Sequence, residues 1–553
     1  MKMMNKTNDQ TIYHVAVPSP LRRLFDYLSP KQLQNVSCNE MLQPGIRVFV
    51  PFGKRELVGI IVGNSKKSSI AISRLKPIKS IIDTKPLIPK HLFDLYIWAA
   101  RYYHNPIGDS LFQSIPSLLR KGKGLPSLET QCWMLTKKGV ELSLSDLSRS
   151  PRKKEFISWL KEKKAITKEE VKQKKISSSI LKKLAEKKLI FLESLPENSY
   201  NFKNKNPLAE KPQNLYPEQQ KALKSINISS FNAYLLFGET GSGKTEVYLQ
   251  AIEKIVCSGK QALVLIPEIS LTPQTLRRFE NRFNTPIVAL HSRLTDKERA
   301  FAWNMARMGK ASIVIGTRSA IFTPLKSPGL IIIDEEHDSS YKQQEGYRYS
   351  ARDLGVIRAQ KESIPIILGS ATPSMESLNN CIENRYTKLT LSCRPEKSFR
   401  PNWLPINIRK SQLINGFSQE LIESIKKVLF EGNQVLIFLN RRGFSPTLSC
   451  YDCGWISNCP NCEARLTVHR KPSRLLCHHC EYTIQVPSTC PSCNSSQLEF
   501  IGQGTERIED TLNVLFPKTP ILRVDRDTTR NKTAMEDLLS VVHSGDSCIL
   551  IGT

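Results

Sequence analysis

Gly238, Glu239, Thr240, Gly241, Ser242, Gly243, Lys244 and Thr245 satisfy the pattern G-x-x-x-x-G-K-[ST], with an apolar stretch before them (233–237) and a run at helical spacing after. Glycines let backbone N–H groups curl around phosphate, the lysine neutralises the outer phosphates, and the threonine hydroxyl serves Mg²⁺. A plain glycine-rich turn would share the string but not its flanking strand and helix. About ninety residues on, Leu330, Ile331, Ile332 and Ile333 run into Asp334, Glu335, Glu336 and His337. A buried strand ending in acids sets a carboxylate beside the phosphate loop. Asp334 would hold Mg²⁺ through water and Glu335 would orient or deprotonate the attacking water. An acidic strand end alone is commonly a solvated terminus. Paired with the loop, it makes Lys244, Thr245, Asp334 and Glu335 the expected catalytic group, with ATP and Mg²⁺ as cofactors.

The second chemical cluster is sulfur. Of fourteen cysteines, eight fall within residues 450–493, as four Cys-x-x-Cys knuckles: Cys450/Cys453, Cys459/Cys462, Cys477/Cys480 and Cys490/Cys493. Clustering of this kind without an export signal points to metal rather than disulfides. Each knuckle supplies two thiolates, so four make two tetrahedral Cys₄ zinc sites; disulfides or an iron–sulfur cluster are the alternatives. Spacing does not say which knuckles pair. His478 and His479 could substitute as ligands, but eight thiolates already suffice for two structural ions.

These groups need a scaffold. Apolar stretches at 233–237, 262–266, 313–315, 330–333 and 366–368 alternate with amphipathic segments, the pattern of a parallel sheet covered on both faces. A second such series starts at 435–439, is interrupted by the cysteines, and resumes at 521–524 and 548–553. Residues 1–121 read as β-rich with an appended helix at 89–103. Residues 122–196 suggest three short helices followed by a strand, a winged helix or a small helical bundle. A polar, proline-bearing stretch, 197–215, reads as an interdomain linker. The predicted architecture is multidomain α/β, with a first lobe at 216–394, a second at 395–553 and the zinc insertion at 450–493 within it.

Composition narrows the partners. Eighty Lys plus Arg against 51 Asp plus Glu give a net charge of +29. That excess suits a polyanion, most simply nucleic acid, although biased Lys, Ile and Asn usage would raise it too. The longest apolar runs are strand-sized, and the N-terminus lacks the apolar core of a signal peptide. Membrane and secreted proteins are therefore not expected.

With these residues in view, the chain resembles the superfamily-two helicases. Asp334, Glu335, Glu336 and His337 match their Asp-Glu-x-His motif, and Gln219 matches the adenine-contacting glutamine. The runs 267–274 and 316–320, the latter containing Arg318, resemble the DNA-backbone motifs of the first lobe. Gly369, Ser370, Ala371, Thr372 and Pro373 resemble the motif coupling hydrolysis to DNA, and Asn440, Arg441, Arg442 and Gly443 lie in the motif that opens the second lobe. The stretch DEEHDSSYKQQEGYRYSARD and the cysteine insertion after NRRGF are similar to the PriA family of bacterial replication-restart helicases, over about residues 12–553. The resemblance implies two RecA-like lobes and a 3′→5′ DNA helicase that recognises stalled or repaired forks and initiates primosome assembly. It also implies branched and single-stranded DNA, primosome proteins and single-strand-binding protein as partners, and a cytoplasmic, nucleoid-associated location.

The same resemblance implies nested zinc sites, Cys450, Cys453, Cys490 and Cys493 sharing one ion and Cys459, Cys462, Cys477 and Cys480 the other. It implies that Tyr341, Tyr347 and Tyr349, interleaved with Lys342, Arg348 and Arg352, form a loop linking DNA to hydrolysis; without it, single-strand stacking and an exposed tyrosine-bearing loop are equal readings. In the first domain it implies that Phe25, Asp26, Gly53 and Lys76 hold a 3′ end, positions that spacing alone reads as core and turn. The chain stops where the family's fifth helicase motif begins, before the Gln-x-x-Gly-Arg-x-Gly-Arg motif with its arginine finger. The alternative expectation is therefore a fork-binding, zinc-containing module without effective helicase activity.

Overall fold

A computed structural model describes residues 11–30, 42–143, 150–163, 165–167, 170–171, 174, 176–196, 207–268, 273–392, 402–407, 413–439, 447–462, 464–470, 473–477, 479–501, 505–524 and 534–552. Arg441, Arg442 and residues 269–272 of the expected DNA motifs lie outside them. The chain divides into two units, Met1–Phe399 and Arg400–Thr553.

In the first unit, the alternating apolar segments form a seven-stranded parallel sheet. Its order is Ile287–Leu290, Ile313–Gly316, Gln261–Leu265, Pro328–Ile333, Ile366–Ser370, Ala233–Gly238 and Thr387–Leu391. The strands Gln261–Leu265, Ile313–Gly316 and Ile366–Ser370 are buried at every residue. That explains why they read as continuous apolar runs: helices cover both faces of the sheet. The phosphate loop and the acidic strand end both lie at the carboxyl ends of these strands, where open α/β sheets bind ligands.

The N-terminal residues form a five-stranded antiparallel sheet, ordered Phe25–Leu28, Ile12–Ala16, Arg55–Ser65, Arg47–Phe52 and Ser80–Ile81. The helices Lys90–Tyr102, Ile107–Gln113 and Ser117–Arg120 follow. Arg47 is buried, pairs with Asp83 at 2.7 Å and donates to the carbonyls of Leu119 and Lys123, fixing the end of the third helix against the sheet. These helices do not form a separate core. Leu92, Tyr96, Ala99, Leu111 and Leu119 share one apolar cluster with Trp303, Phe322, Tyr347, Leu354 and Ile366 of the large sheet's unit. Tyr96 donates its hydroxyl hydrogen to the Phe322 carbonyl, and His91 meets Glu362, the buried partner of Arg358, at 3.4 Å. Residue 121 is thus a boundary in the sequence pattern but not in the packing.

Residues 129–196 do have their own core, of Phe156, Ile157, Leu160, Ile166, Leu184 and Ile190. Around it stand the helices Pro151–Lys163 and Ser178–Glu186 and an antiparallel sheet in the order Ala165–Thr167, Glu129–Leu135, Ile190–Pro196. The opening strand was not expected from sequence, and the expected second helix lies largely outside the described residues. Residues 207–215 correct the linker expectation. They are tied to the large sheet's unit by Ala209 N–H to Arg282 O at 3.0 Å, Asn284 N–H to Pro207 O at 2.8 Å and Arg282 to Lys211 O at 3.0 Å.

The second unit has a parallel three-stranded sheet, Val435–Phe438, Ile549–Gly552 and Ile521–Val524, with Ile422, Ile425, Ile508 and Leu512 packed against it. The cysteine segment stands on an antiparallel pair, Thr447–Cys450 with Leu498–Ile501, and on the meander Thr467–Arg470, Ser473–Leu476, Thr483–Gln485.

Candidate nucleotide site, zinc centres and DNA-contact residues

Strand Ala233–Gly238 delivers the phosphate loop and helix Lys244–Cys257 departs from it. Gly241 and Gly243 take φ of +86° and +80°, values that L side chains rarely adopt. A Cβ on Gly243 would also stand 2.2 Å from Gln219 Nε2. Lys244 is buried, its ammonium donating to the Gly238 carbonyl at 2.7 Å, and Ser242 Oγ is buried with no partner. A lysine resting on the loop's own carbonyl and two left-handed glycines lining the adjoining cavity fit a phosphate ligand. The adjoining cavity of about 680 Å³ is lined by Thr240, Lys244, Thr245, Asp334, Glu335 and Arg278 among others, a size suited to a nucleotide. In it, Thr245 and Asp334 would hold Mg²⁺, which would supply charge neutralisation at the transferred phosphate.

Asp334 accepts from Tyr248 Oη at 3.0 Å. Burial, and then the Glu335 carboxylate, raise the Asp334 pKa above the ordinary aspartate value. Sequence reading missed Tyr248, although Lys244 and Tyr248 stand at i and i+4 and so share a helix face. Glu335 has φ of +46°, a left-handed conformation for a non-glycine residue, the kind of strain that concentrates at functional sites. Glu336, also missed, is buried and structural: it accepts from Ser374 N–H at 2.7 Å and Ser377 Oγ at 2.9 Å, and meets Arg352 at 3.3 Å. His337 shares hydrogen bonds with Ser370 Oγ at 2.7 Å and Thr372 Oγ1 at 3.3 Å. The acidic motif and the Ser-Ala-Thr motif therefore touch through this imidazole. Gln219 is engaged elsewhere than expected of an adenine contact. Its Nε2 donates to Ser242 O at 3.1 Å while its Oε1 accepts from Tyr216 N–H at 2.9 Å, so it braces the phosphate loop from behind. Glu210 and Gln213, from the stretch read as linker, line the nucleotide cavity instead.

The thiolate geometry separates the eight cysteines into two groups. Cys450, Cys453, Cys490 and Cys493 form one, and Cys459, Cys462, Cys477 and Cys480 the other, with all sulfurs of a group within 4.8 Å. Individual separations are 3.6 Å for Cys450–Cys493, 3.7 Å for Cys453–Cys490 and 3.5 Å for Cys462–Cys477. A tetrahedral ion with Zn–S bonds of about 2.3 Å puts its sulfurs about 3.8 Å apart, so the fit is close. Within a knuckle the backbone favours one thiolate: the Cys480 N–H brings the Cys477 pKa down to about 6, while Cys480 itself, despite the Tyr482 N–H, is pushed up to about 12 by the Cys459 thiol. Burial would raise Cys490, but the N–H groups of Cys493 and Ser492 outweigh it and bring that thiol down to about 7. His479 is in neither group.

Among the expected DNA residues, Phe25, Gly53 and Lys76 are brought to one region. Phe25 packs edge-on to Phe52, beside Gly53 at its φ of +61°, and Leu28 N–H donates to the Lys76 carbonyl at 3.0 Å. The Lys76 side chain is exposed. Asp26 is held by His14 Nδ1 at 2.7 Å and accepts from Ser68 Oγ at 2.5 Å. Arg318 donates to the Ser340 carbonyl at 2.8 Å, next to exposed Lys342. The tyrosines correct the stacking expectation. Tyr341, Tyr347 and Tyr349 are 2%, 0% and 5% exposed, and Tyr341 donates to the Asp334 carbonyl at 2.6 Å. Only Lys342 and Arg348 of that alternation face solvent.

Three family models match the chain in order: the 3′ DNA-binding domain at residues 14–116, the DEAD/DEAH box helicase at 216–381, and the Cys-rich region of the PriA DNA helicase at 459–484. The replication restart protein PriA of Haemophilus influenzae is 44% identical over 98% of this chain and 74% of its own length. The chain belongs to the PriA family. Its Bacillus subtilis relative is 33% identical over 96% of this chain and 74% of its own length, and the Chlamydia trachomatis relative 35% identical over 98% and 73%. The helicase match covers the phosphate loop, Asp334 and the Ser-Ala-Thr motif, and the Cys-rich match covers the inner thiolate group, so the family carries both an ATP site and two zinc centres on this chain. Among the described residues no helix is long and apolar enough to cross a membrane.

Proposed function

We propose that this chain is an ATP-dependent 3′→5′ DNA helicase of replication restart, which recognises stalled or repaired forks and initiates primosome assembly. The observation that carries the reading is the joining of a 3′ DNA-binding domain and a helicase lobe in one apolar core, with the acidic motif linked through His337 to Ser370 and Thr372. Lys244 and the loop amides bind the outer phosphates, Asp334 and Thr245 position the metal, and Glu335 orients the attacking water. Phe25, Asp26, Gly53 and Lys76 would receive the 3′ end, while Arg318, Lys342, Arg348, Arg441 and Arg442 would serve the phosphate backbone. Primosome proteins and single-strand-binding protein are the protein partners in this reading, and the bacterial nucleoid is its location. A fork-binding module without helicase activity is the less favoured alternative, because the family matches include the helicase domain.

The test is strand displacement from labelled forks, with and without ATP and Mg²⁺. Unwinding should require both, should be lost in Lys244→Ala, and should be faster on a fork with a 3′ terminus at its junction. Equal unwinding without ATP, or no unwinding by the wild type on any fork, would sink it.

A further inference from the structure

Two adjoining cavities lie where the N-terminal helices meet the first lobe, and the site described so far uses neither fully. The first, about 120 Å³, is lined by Ser114 and Arg120 of the N-terminal helices and by His291, Arg299, Trp303 and Thr323 of the lobe, with others. The second, about 190 Å³, shares His291, Arg299 and Ser319 with it and continues to Arg318 and Gln343, with Glu268, which accepts from Ser292 Oγ, on its wall.

Several observations on the first cavity converge. Arg120 and Arg299 both line it, and they act on each other electrostatically: partial burial, and then Arg299, lower the Arg120 pKa. Both guanidinium groups are held in place. Arg120 donates to Ile115 O at 2.9 Å and Gln113 O at 3.1 Å, and Arg299 donates to the carbonyls of His291 and Ser292 at 3.2 and 3.1 Å. The carboxylates around Arg120 are engaged with other groups, Asp296 with Lys121 at 3.1 Å and Asp109 with Gln113 at 3.2 Å. Trp303, 3% exposed, forms part of the cavity wall. Two guanidinium groups held on one small cavity, with donors left over from their carbonyl contacts, are complementary to an anion with several acceptor oxygens.

We propose that this seam is a phosphate site, carrying the backbone of single-stranded DNA from Arg318 and Ser319 onto the N-terminal helices, with one phosphodiester between Arg120 and Arg299. Continuity with the second cavity selects a polymer over a free ion. The proposal rests on the reading that the Arg318 surface binds DNA.

The test uses the full chain and a fluorescent oligothymidylate, its affinity measured across a salt series. Losing one phosphate contact on a single strand reduces the log–log salt slope by about 0.7. Arg120→Gln and Arg299→Gln should each show that reduction, with affinity lowered about three- to tenfold. Arg120→Lys, which keeps the charge but not the fork that caps two carbonyls, should keep the slope. A single methylphosphonate walked along the oligonucleotide should weaken wild-type binding at one linkage to which Arg120→Gln has become indifferent. If Arg318→Gln loses slope while Arg120→Gln and Arg299→Gln do not, the seam proposal is overturned and the lobe surface stands. If Arg318→Gln also keeps its slope, the DNA reading of the surface falls and the seam with it. Equal losses in Arg120→Lys and Arg120→Gln would make Arg120 a structural cap and overturn the proposal. Titration calorimetry with inorganic phosphate separates the sources: micromolar binding, absent in Arg120→Gln, would assign the site to a free anion instead.

Discussion

Beneath the phosphate loop lies a seven-stranded sheet whose inner strands are buried on both faces. Beneath the eight cysteines, among the described residues, lie four buried aliphatic side chains, Leu448, Leu466, Val468 and Leu475, with Trp455, Tyr482, Val486 and Leu498 only partly buried around them. Both regions hold a few polar groups at fixed separations, but by opposite means. In the first, packing sets the geometry, and Lys244 is already in place against a carbonyl of its own loop. In the second, short strands and a small core leave the metal to supply the cohesion, so the site and its fold are one equilibrium. A ligand that finds its site ready contributes affinity; a ligand that completes its site contributes structure.

The largest expected difference between the regions comes from metal removal. Purified protein should contain two zinc equivalents, and each ion is worth about 10–16 kcal/mol of folding to a module of this kind. Stripping the metal should raise amide exchange across 447–501 and leave nucleotide affinity within about twofold. Cys477→Ser should bring the content to one equivalent; iron with visible absorbance in the wild type would break the assignment. Next in size is Lys244→Ala, which removes charge-assisted hydrogen bonds worth about 1.5–3 kcal/mol. Calorimetry should show nucleotide affinity falling about ten- to a hundredfold, with zinc content unchanged. Unchanged affinity would mean the site is misplaced.

The smallest effect concerns Asp334. Because burial and Glu335 raise its pKa in the folded state, the native form binds its proton more tightly than the unfolded chain does. Stability from this group is therefore present at low pH and declines as pH rises from the unfolded value through the raised one. At pH 7 Asp334→Asn should accordingly raise Tm, and the gain should narrow on acidification. Mg²⁺-dependent nucleotide binding has the opposite sign: it should weaken as pH falls through the raised pKa, and that dependence should be lost in the asparagine variant. A lower Tm for Asp334→Asn at neutral pH would contradict the electrostatic account.

What was legible in the sequence was local. The phosphate loop, the acidic strand end and the four knuckles are short strings whose chemistry depends on near neighbours, and the structure assembles each of them. The nested thiolate grouping came from family resemblance, since four equivalent knuckles can pair in more than one way. What was not legible depends on distant packing. Tyr347 looks like a stacking residue until Tyr103 and Phe322 are placed around it. Glu336 has no role readable from its place in the motif until Ser374 and Ser377 are seen to close over it. In 207–215, Glu210 and Gln213 line the nucleotide cavity while Pro207, Ala209 and Lys211 bond through their backbone, which composition does not distinguish from a free tether. The shared core of the N-terminal helices and the lobe turns on contacts such as Tyr96 to Phe322, 226 residues apart in sequence.

That shared core has a mechanical meaning. A 3′ DNA-binding domain attached by a tether would search a volume around the motor and report an end wherever it found one. One packed into the lobe's own core holds its DNA-binding surface at a fixed offset from the phosphate loop, as a ruler holds its zero mark.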